Sequence, residues 1–176
     1  MTGMLRVSVT VLALCAAGAG QALPPKSGGH AAETKHLAVT TSSSPDAVAP
    51  GKRVTLAVDV APKPKMHVYA PGQEGYITIT LTLEAAPAFS AAKAKYPAGE
   101  KLFMPALKET QLVYAKPFRI AQDLTLAATP ELRKRASEGG SLAIKGTLRY
   151  QACDEAICYL PVTLPLAWTV KLASGK

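Results

Sequence analysis

Hydrophobic residues recur at every second position in several short stretches of this chain. Val54, Leu56, Val58 and Val60 alternate with Thr55, Ala57 and Asp59. Ile77, Ile79, Leu81 and Leu83 alternate with Thr78, Thr80, Thr82 and Glu84, the cleanest such stretch. Phe118 and Ile120 follow Pro117, and Leu124 and Leu126 come next. Leu142, Ile144, Leu148 and Tyr150 alternate with Ala143, Lys145, Thr147 and Arg149. Val162, Leu164 and Leu166 lead into Trp168, Val170 and Leu172 with unchanged parity. Successive side chains of a strand point to opposite faces, so each stretch predicts a half-buried strand. Pro165 has no N–H to donate, which puts its strand at an edge or a bulge.

One short helix is predicted. Thr129 is its N-cap, Pro130 its first residue, Glu131 to Ser137 its body, and Gly139-Gly140 its stop. The run from Gly99 to Glu109 mixes Leu102, Phe103, Met104 and Leu107 with Lys101, Lys108 and Glu109, and Pro105 interrupts it. It predicts a loop with an apolar tip. Fourteen prolines and thirteen glycines punctuate the strands. Short strands, Pro/Gly turns and at most one short helix predict an all-β fold, an antiparallel β-sandwich.

The ends of the chain carry other signals. Met1 to Arg6 is short and basic, Val7 to Ala19 is apolar and small, and Gly20-Gln21-Ala22 offers small residues at a cleavage site. That is the layout of a secretory signal peptide over residues 1–22. Its apolar run is well short of the roughly 20 residues a membrane span needs, and no other segment is long and apolar enough. Lipid attachment at Cys15 would want a small residue before it, and Leu14 stands there. Residues 23–35 (LPPKSGGHAAETK) read as a flexible linker and residues 36–176 as one domain. The predicted protein is exported, periplasmic or otherwise outside the cytosol, without a membrane span of its own.

The formal charge is +8, and loss of Arg6 with the leader leaves one fewer. The lysines are scattered and only Arg133-Lys134-Arg135 cluster. With no basic run interleaved with aromatics, a nucleic acid partner is not predicted, and the charge reads as a solubilising surface.

Without the leader, two cysteines remain, Cys153 and Cys158, with four residues between them. Outside the cytosol such a pair defaults to a disulfide. As a staple it is weak, because closing so short a loop restricts the unfolded chain by only about 2 kcal/mol. An immunoglobulin-type staple would join strands far apart in sequence. Strained or exposed disulfides are the labile ones. Spacing alone leaves a structural and a redox reading both open. A metal site would need two further ligands. His67, with Met66 and Met104 for a soft ion such as Cu(I), supplies no second pair at ligand spacing. No metal and no cofactor is predicted.

The segment Tyr150-Gln151-Ala152-Cys153 through Cys158-Tyr159-Leu160-Pro161 resembles the active-site hairpin of the N-terminal periplasmic domain of DsbD, the bacterial thiol:disulfide interchange protein. Met66-His67-Val68-Tyr69 resembles the aromatic-rich strand beside those cysteines, with Tyr69 falling on a tyrosine. Tyr96 to Phe103 resembles the approach to the family's cap loop, whose aromatic tip shields the disulfide. Val113-Tyr114 and Phe118-Arg119-Ile120 resemble the strand leaving that cap. The resemblance runs from about Ala38 to Leu172. It departs in three places: a loop one residue shorter, His67 where an aromatic is common, and Met104-Pro105 where Tyr-Gly is more usual.

The resemblance implies an immunoglobulin-like sandwich acting as a thiol:disulfide oxidoreductase, an electron relay connected with cytochrome c biogenesis. It implies that Cys158 joins the partner and Cys153 resolves the mixed disulfide. It also implies partners of the thioredoxin fold. The family's full-length protein continues into a membrane domain and a thioredoxin-like domain. A chain ending at Lys176 is therefore expected to be a stand-alone version, supplied by a membrane electron donor in a separate chain. Tyr69, Tyr150 and Tyr159 are expected to pack round the disulfide and Phe103 to cap it, although each also suits ordinary core. Asp154 and Glu155 should raise a neighbouring thiol's pKa, or simply form a solvated turn. The rival reading is a non-catalytic binding or assembly module with a structural disulfide.

Overall fold

The computed structural model describes residues 29–105 and 107–175. The leader over 1–22 and the first part of the expected linker lie outside the described residues. In chain order the elements are β1 (Ala31–Glu33), β2 (Leu37–Ser44), β3 (Ala47–Val48), β4 (Arg53–Pro62), β5 (His67–Tyr69), β6 (Thr80–Leu83) and β7 (Phe89–Ala91). There follow β8 (Glu100–Met104), β9 (Glu109–Tyr114), β10 (Phe118–Leu126), α1 (Pro130–Ser137), β11 (Ser141–Tyr150), β12 (Ala152–Cys153) and β13 (Val162–Leu172).

The alternating stretches build an immunoglobulin-like sandwich. One sheet runs β1-β2-β4-β10-β7, the other β3-β13-β11-β6. All pairs are antiparallel except β3 with β13. Their inner faces share one core, in which Leu56, Val58, Ile120 and Leu124 meet Ile144, Leu148, Trp168 and Val170. Among the described residues, two side-chain hydrogen bonds cross between the sheets. The Trp168 indole N–H donates to the Ala57 carbonyl at 3.1 Å, and Thr41 Oγ1 donates to the Ala167 carbonyl at 2.8 Å. The helix closes one end with Leu132 and Ala136. Its Thr129 cap accepts from the Leu132 N–H at 3.3 Å, and Gly139 takes the left-handed φ of +68° that ends it. Pro165 pairs with Thr147 on one side, while β3 meets β13 only at Lys171 and Leu172, so the proline faces an open edge as expected.

Four local outcomes differ from the sequence reading. The stretch Ile77–Leu83 is a strand only over Thr80–Leu83, because β11 ends at Tyr150, one residue past its pairing with Thr80. Ile79 is still fully buried, and its N–H donates to the Tyr69 carbonyl at 2.8 Å. The run Gly99–Glu109 is a hairpin, not a loop, with Met104 pairing Glu109 and Pro105 standing in the turn rather than in a strand. β2 escaped the pattern because its inward positions change from Leu37 and Val39 to Thr41 and Ser43, also buried. Residues 31–33, within the stretch read as linker, form β1 and pair with 38–40 of β2. Among the described residues no helix is long and apolar enough to cross a membrane.

Candidate functional site

A third, small sheet, β12-β5-β9-β8, stands beside the sandwich. Its two shortest strands do the sorting. Val68 and Ala152 are register partners and face the main core. One residue away the parity reverses. Tyr69 and Cys153 turn to the other face and pack with Val113 in a separate buried cluster. Because strand side chains alternate, two residues of β12 suffice to take Cys153 out of the sandwich core and set it beside Tyr69.

The hairpin after Cys153 is held by its own backbone and by one carboxylate. The Asp154 N–H donates to the Ile157 carbonyl at 2.9 Å, and the Tyr159 N–H to the Ala152 carbonyl at 2.8 Å. Asp154 Oδ1 accepts from the Ala156 and Ile157 N–H groups, each at 2.8 Å. Asp154 Oδ2 accepts from the Tyr159 hydroxyl at 2.8 Å. This is the local bonding by which Asp favours turns. The Ile157 N–H, then the Ala156 N–H and the Tyr159 hydroxyl, hold the Asp154 carboxyl below its ordinary range. Asp154 is thus a structural member of the loop, while Glu155 is exposed.

Cys153 and Cys158 are joined as a disulfide, with Cα atoms 4.0 Å apart. Their environments are unequal. Cys153 is 1% exposed, whereas Cys158 faces solvent. The Tyr69 hydroxyl lies 3.2 Å from each sulfur. Neither disulfide sulfur carries a hydrogen, so the Tyr69 O–H is the donor. Burial, with the nearby Tyr76 and Glu109, pushes the Tyr69 phenol up to about 12, so it keeps its proton. Behind it stands a row the sequence reading missed. Tyr76 stacks on Tyr69 with ring centroids 4.3 Å apart and donates its hydroxyl to Glu109. Gln111, fully buried, donates to Glu109 Oε1 at 2.6 Å and to the Tyr76 hydroxyl at 3.1 Å. The only signal was parity: Glu109, Gln111 and Val113 share a face once β9 is known to be a strand.

The remaining expected site residues divide. Tyr159 meets the site through Asp154, and its ring sits 4.6 Å from His36 with the Lys35 ammonium 4.8 Å from its centroid. Tyr150 belongs to the main sandwich core, with its hydroxyl 2.9 Å from Thr34 Oγ1. On β8 the alternation turns Leu102 and Met104 inward and Phe103 outward. Leu102 packs against the cluster of Tyr69, Val113 and Cys153, whereas Phe103 is 58% exposed. Phe103 lines a groove of about 550 Å³ together with Lys65, Met66, His67, Met104 and Glu155. Ile157 and Leu160, on either side of Cys158, are also exposed, Leu160 at 87%. Among the described residues no three His, Cys, Asp or Glu side chains gather in a metal-binding group.

The family model described as "Thiol:disulfide interchange protein DsbD, N-terminal" matches residues 33–167. Among solved structures, the N-terminal periplasmic domain of ScsB from Proteus mirabilis aligns at a TM-score of 0.49 and 14% identity. That alignment covers 76% of this chain and 47% of that one, so the chain spans about half of its length. The Neisseria meningitidis DsbD N-terminal domain in the reduced form aligns at a TM-score of 0.46 and 18% identity, covering 85% of this chain and 94% of that one. No curated protein matches the chain.

Proposed function

This chain belongs to the DsbD N-terminal domain family, and from that premise we propose that it relays reducing equivalents through Cys153 and Cys158 to thioredoxin-fold partners. The observation that carries the reading is the inequality of the two sulfurs. Exchange needs one accessible sulfur to form the mixed disulfide and a second to displace the partner. Cys158, exposed, takes the first role and Cys153, buried, the second. Exposed Ile157 and Leu160 give the partner an apolar surface at Cys158. Tyr69 supplies a fixed hydrogen-bond donor to whichever sulfur becomes a thiolate. The protein works in the periplasm after export through the 1–22 leader, and a membrane electron donor reloads the pair.

The test is equilibration against dithiol redox buffers. A relay pair reduces reversibly with the fold intact, at a potential above the structural range of about −300 mV. Reduction only below that range, or only with unfolding, would support a non-catalytic module with a structural disulfide instead.

A further inference from the structure

His67 stands directly opposite Cys153. The two are partners in the β5–β12 register, 3% and 1% exposed respectively. Residues facing each other on one side of an antiparallel pair hold their Cβ atoms about 4.5–5.5 Å apart, which lets an imidazole reach a thiol. In the oxidised pair His67 Nε2 is buried and has no hydrogen-bond partner among the described residues. Buried polar atoms are almost always paired, so an orphan calls for an explanation.

The other redox state supplies one. A disulfide has no hydrogen to offer, but reduction places an S–H on Cys153, the residue that faces His67 in the register. Cys153 also needs help to act as a nucleophile. Its burial and the neighbouring Asp154 carboxylate both disfavour its thiolate. Tyr69 cannot serve as the base, since its phenol holds its proton. Burial keeps the His67 imidazole below its ordinary value and therefore neutral at pH 7, with the Asp154 charge pulling more weakly the other way. The other groups around it are the Tyr69 ring, edge-on at 6.0 Å, and Lys65 and Glu155 along the groove.

We propose that His67 is the base that activates Cys153, accepting its S–H hydrogen bond in the reduced pair and its proton in the resolving step. The inference rests on the relay reading. Cys158 thiolate first attacks a partner disulfide, forming the mixed disulfide and releasing one partner sulfur as thiolate. Cys153 then attacks the Cys158 sulfur. The Cys153–Cys158 bond forms, the bond from Cys158 to the partner breaks, and its electron pair leaves on the partner's second sulfur. The Cys153 proton passes to Nε2, giving an imidazolium that Asp154 stabilises until it reprotonates the departing thiolate or loses its proton to water. The dithiol is oxidised and the partner disulfide is reduced. Sequence alone marked His67 as a departure from an aromatic position and as a metal-ligand candidate without a second pair, not as a base.

The probe is an aromatic disulfide that releases a coloured thiolate, dithiobis-nitrobenzoate, mixed with the reduced chain. The first equivalent of colour reports attack by Cys158 and the second reports resolution by Cys153. General bases contribute roughly 10²–10⁴-fold. His67→Phe and His67→Gln should therefore slow the second phase at least about tenfold at pH 7 and leave the first unchanged. The second phase of the variants should climb with pH, where that of the native chain is level above the His67 titration. The His67→Gln chain carries the test alone should the His67→Phe chain not fold. An unchanged second phase, or equal slowing of both phases, overturns the proposal. A native chain that releases no second equivalent overturns the relay reading itself.

Discussion

The Tyr69 hydroxyl lies 3.2 Å from the Cys158 sulfur, and at the same distance from Cys153. Tyr69 is fully buried and braced by the stacked Tyr76, so the donor is fixed before any thiolate forms. A hydrogen bond to the charged form of a thiol favours that form. Tyr69→Phe should raise the apparent pKa of the attacking thiol by about one unit, equivalent to about 1.4 kcal/mol. Ultraviolet titration of the thiolate in the reduced variant checks this. An unmoved pKa in a folded variant would make Tyr69 ordinary packing.

Reduction should leave the fold standing. The main core cluster contains neither cysteine. The closed loop is so short that opening it costs about 2 kcal/mol in the chain-entropy model. Circular dichroism of the reduced chain should match that of the oxidised one, with a modestly lower Tm. Collapse on adding a dithiol would point to a structural staple.

Leu102 and Phe103 should behave differently. Leu102 packs against the Tyr69, Val113 and Cys153 cluster and is half-buried. Leu102→Ala should cost about 1–2 kcal/mol, below the range for fully buried leucines. It should also speed the reaction of the reduced pair with peroxide several-fold. Phe103 points outward, so Phe103→Ala should stay within about 0.5 kcal/mol of the native stability. Its peroxide rate should be unchanged, and its capture of a protein partner weaker. Faster oxidation in the Phe103 variant alone would give Phe103 the shielding part.

The sandwich was legible where one face is apolar throughout, as in β4, β11 and β13, and the helix where Thr129, Pro130 and Gly139 mark its ends. β2 was not, because Thr41 and Ser43 take inward positions and Thr41 spends its hydroxyl on the opposite sheet. β5 and β12 are three and two residues long, too short for any periodicity. Their residues were found through the pattern around the cysteines. That pattern brought Tyr69, Cys153 and Cys158 together but also drew in Tyr150, which the parity of β11 sends to the main core. The apolar run at 102–104 was visible, but which of its residues faces inward depended on a hairpin read as a loop. Tyr76 meets Glu109 and Gln111 from over thirty positions away, and no local signal announces such a contact.

Asp154 gives the site a pH dependence of defined sign. Its carboxyl is held below its ordinary value by the Ile157 and Ala156 N–H groups and the Tyr159 hydroxyl. A depressed folded value means that the contribution is present above the unfolded value and is lost as pH falls through the folded one. The loop between the cysteines should therefore be unchanged through neutrality and loosen only in acid, below the usual aspartate range. The amide resonances of Ala156 and Ile157 should move in that acid window, and Asp154→Ala should abolish the titration. A transition near neutral pH would assign the loop's stability to another group.

The central claim, exchange through an exposed Cys158 with a buried Cys153 in reserve, is tested most directly by trapping. The chain carrying Cys153→Ser, mixed with an oxidised thioredoxin-fold partner, should accumulate a mixed disulfide through Cys158. Non-reducing electrophoresis and mass mapping would identify it. The chain carrying Cys158→Ser should trap far less, because its remaining sulfur is buried. Equal trapping by the two variants would contradict the assigned roles, and trapping by neither would contradict the relay.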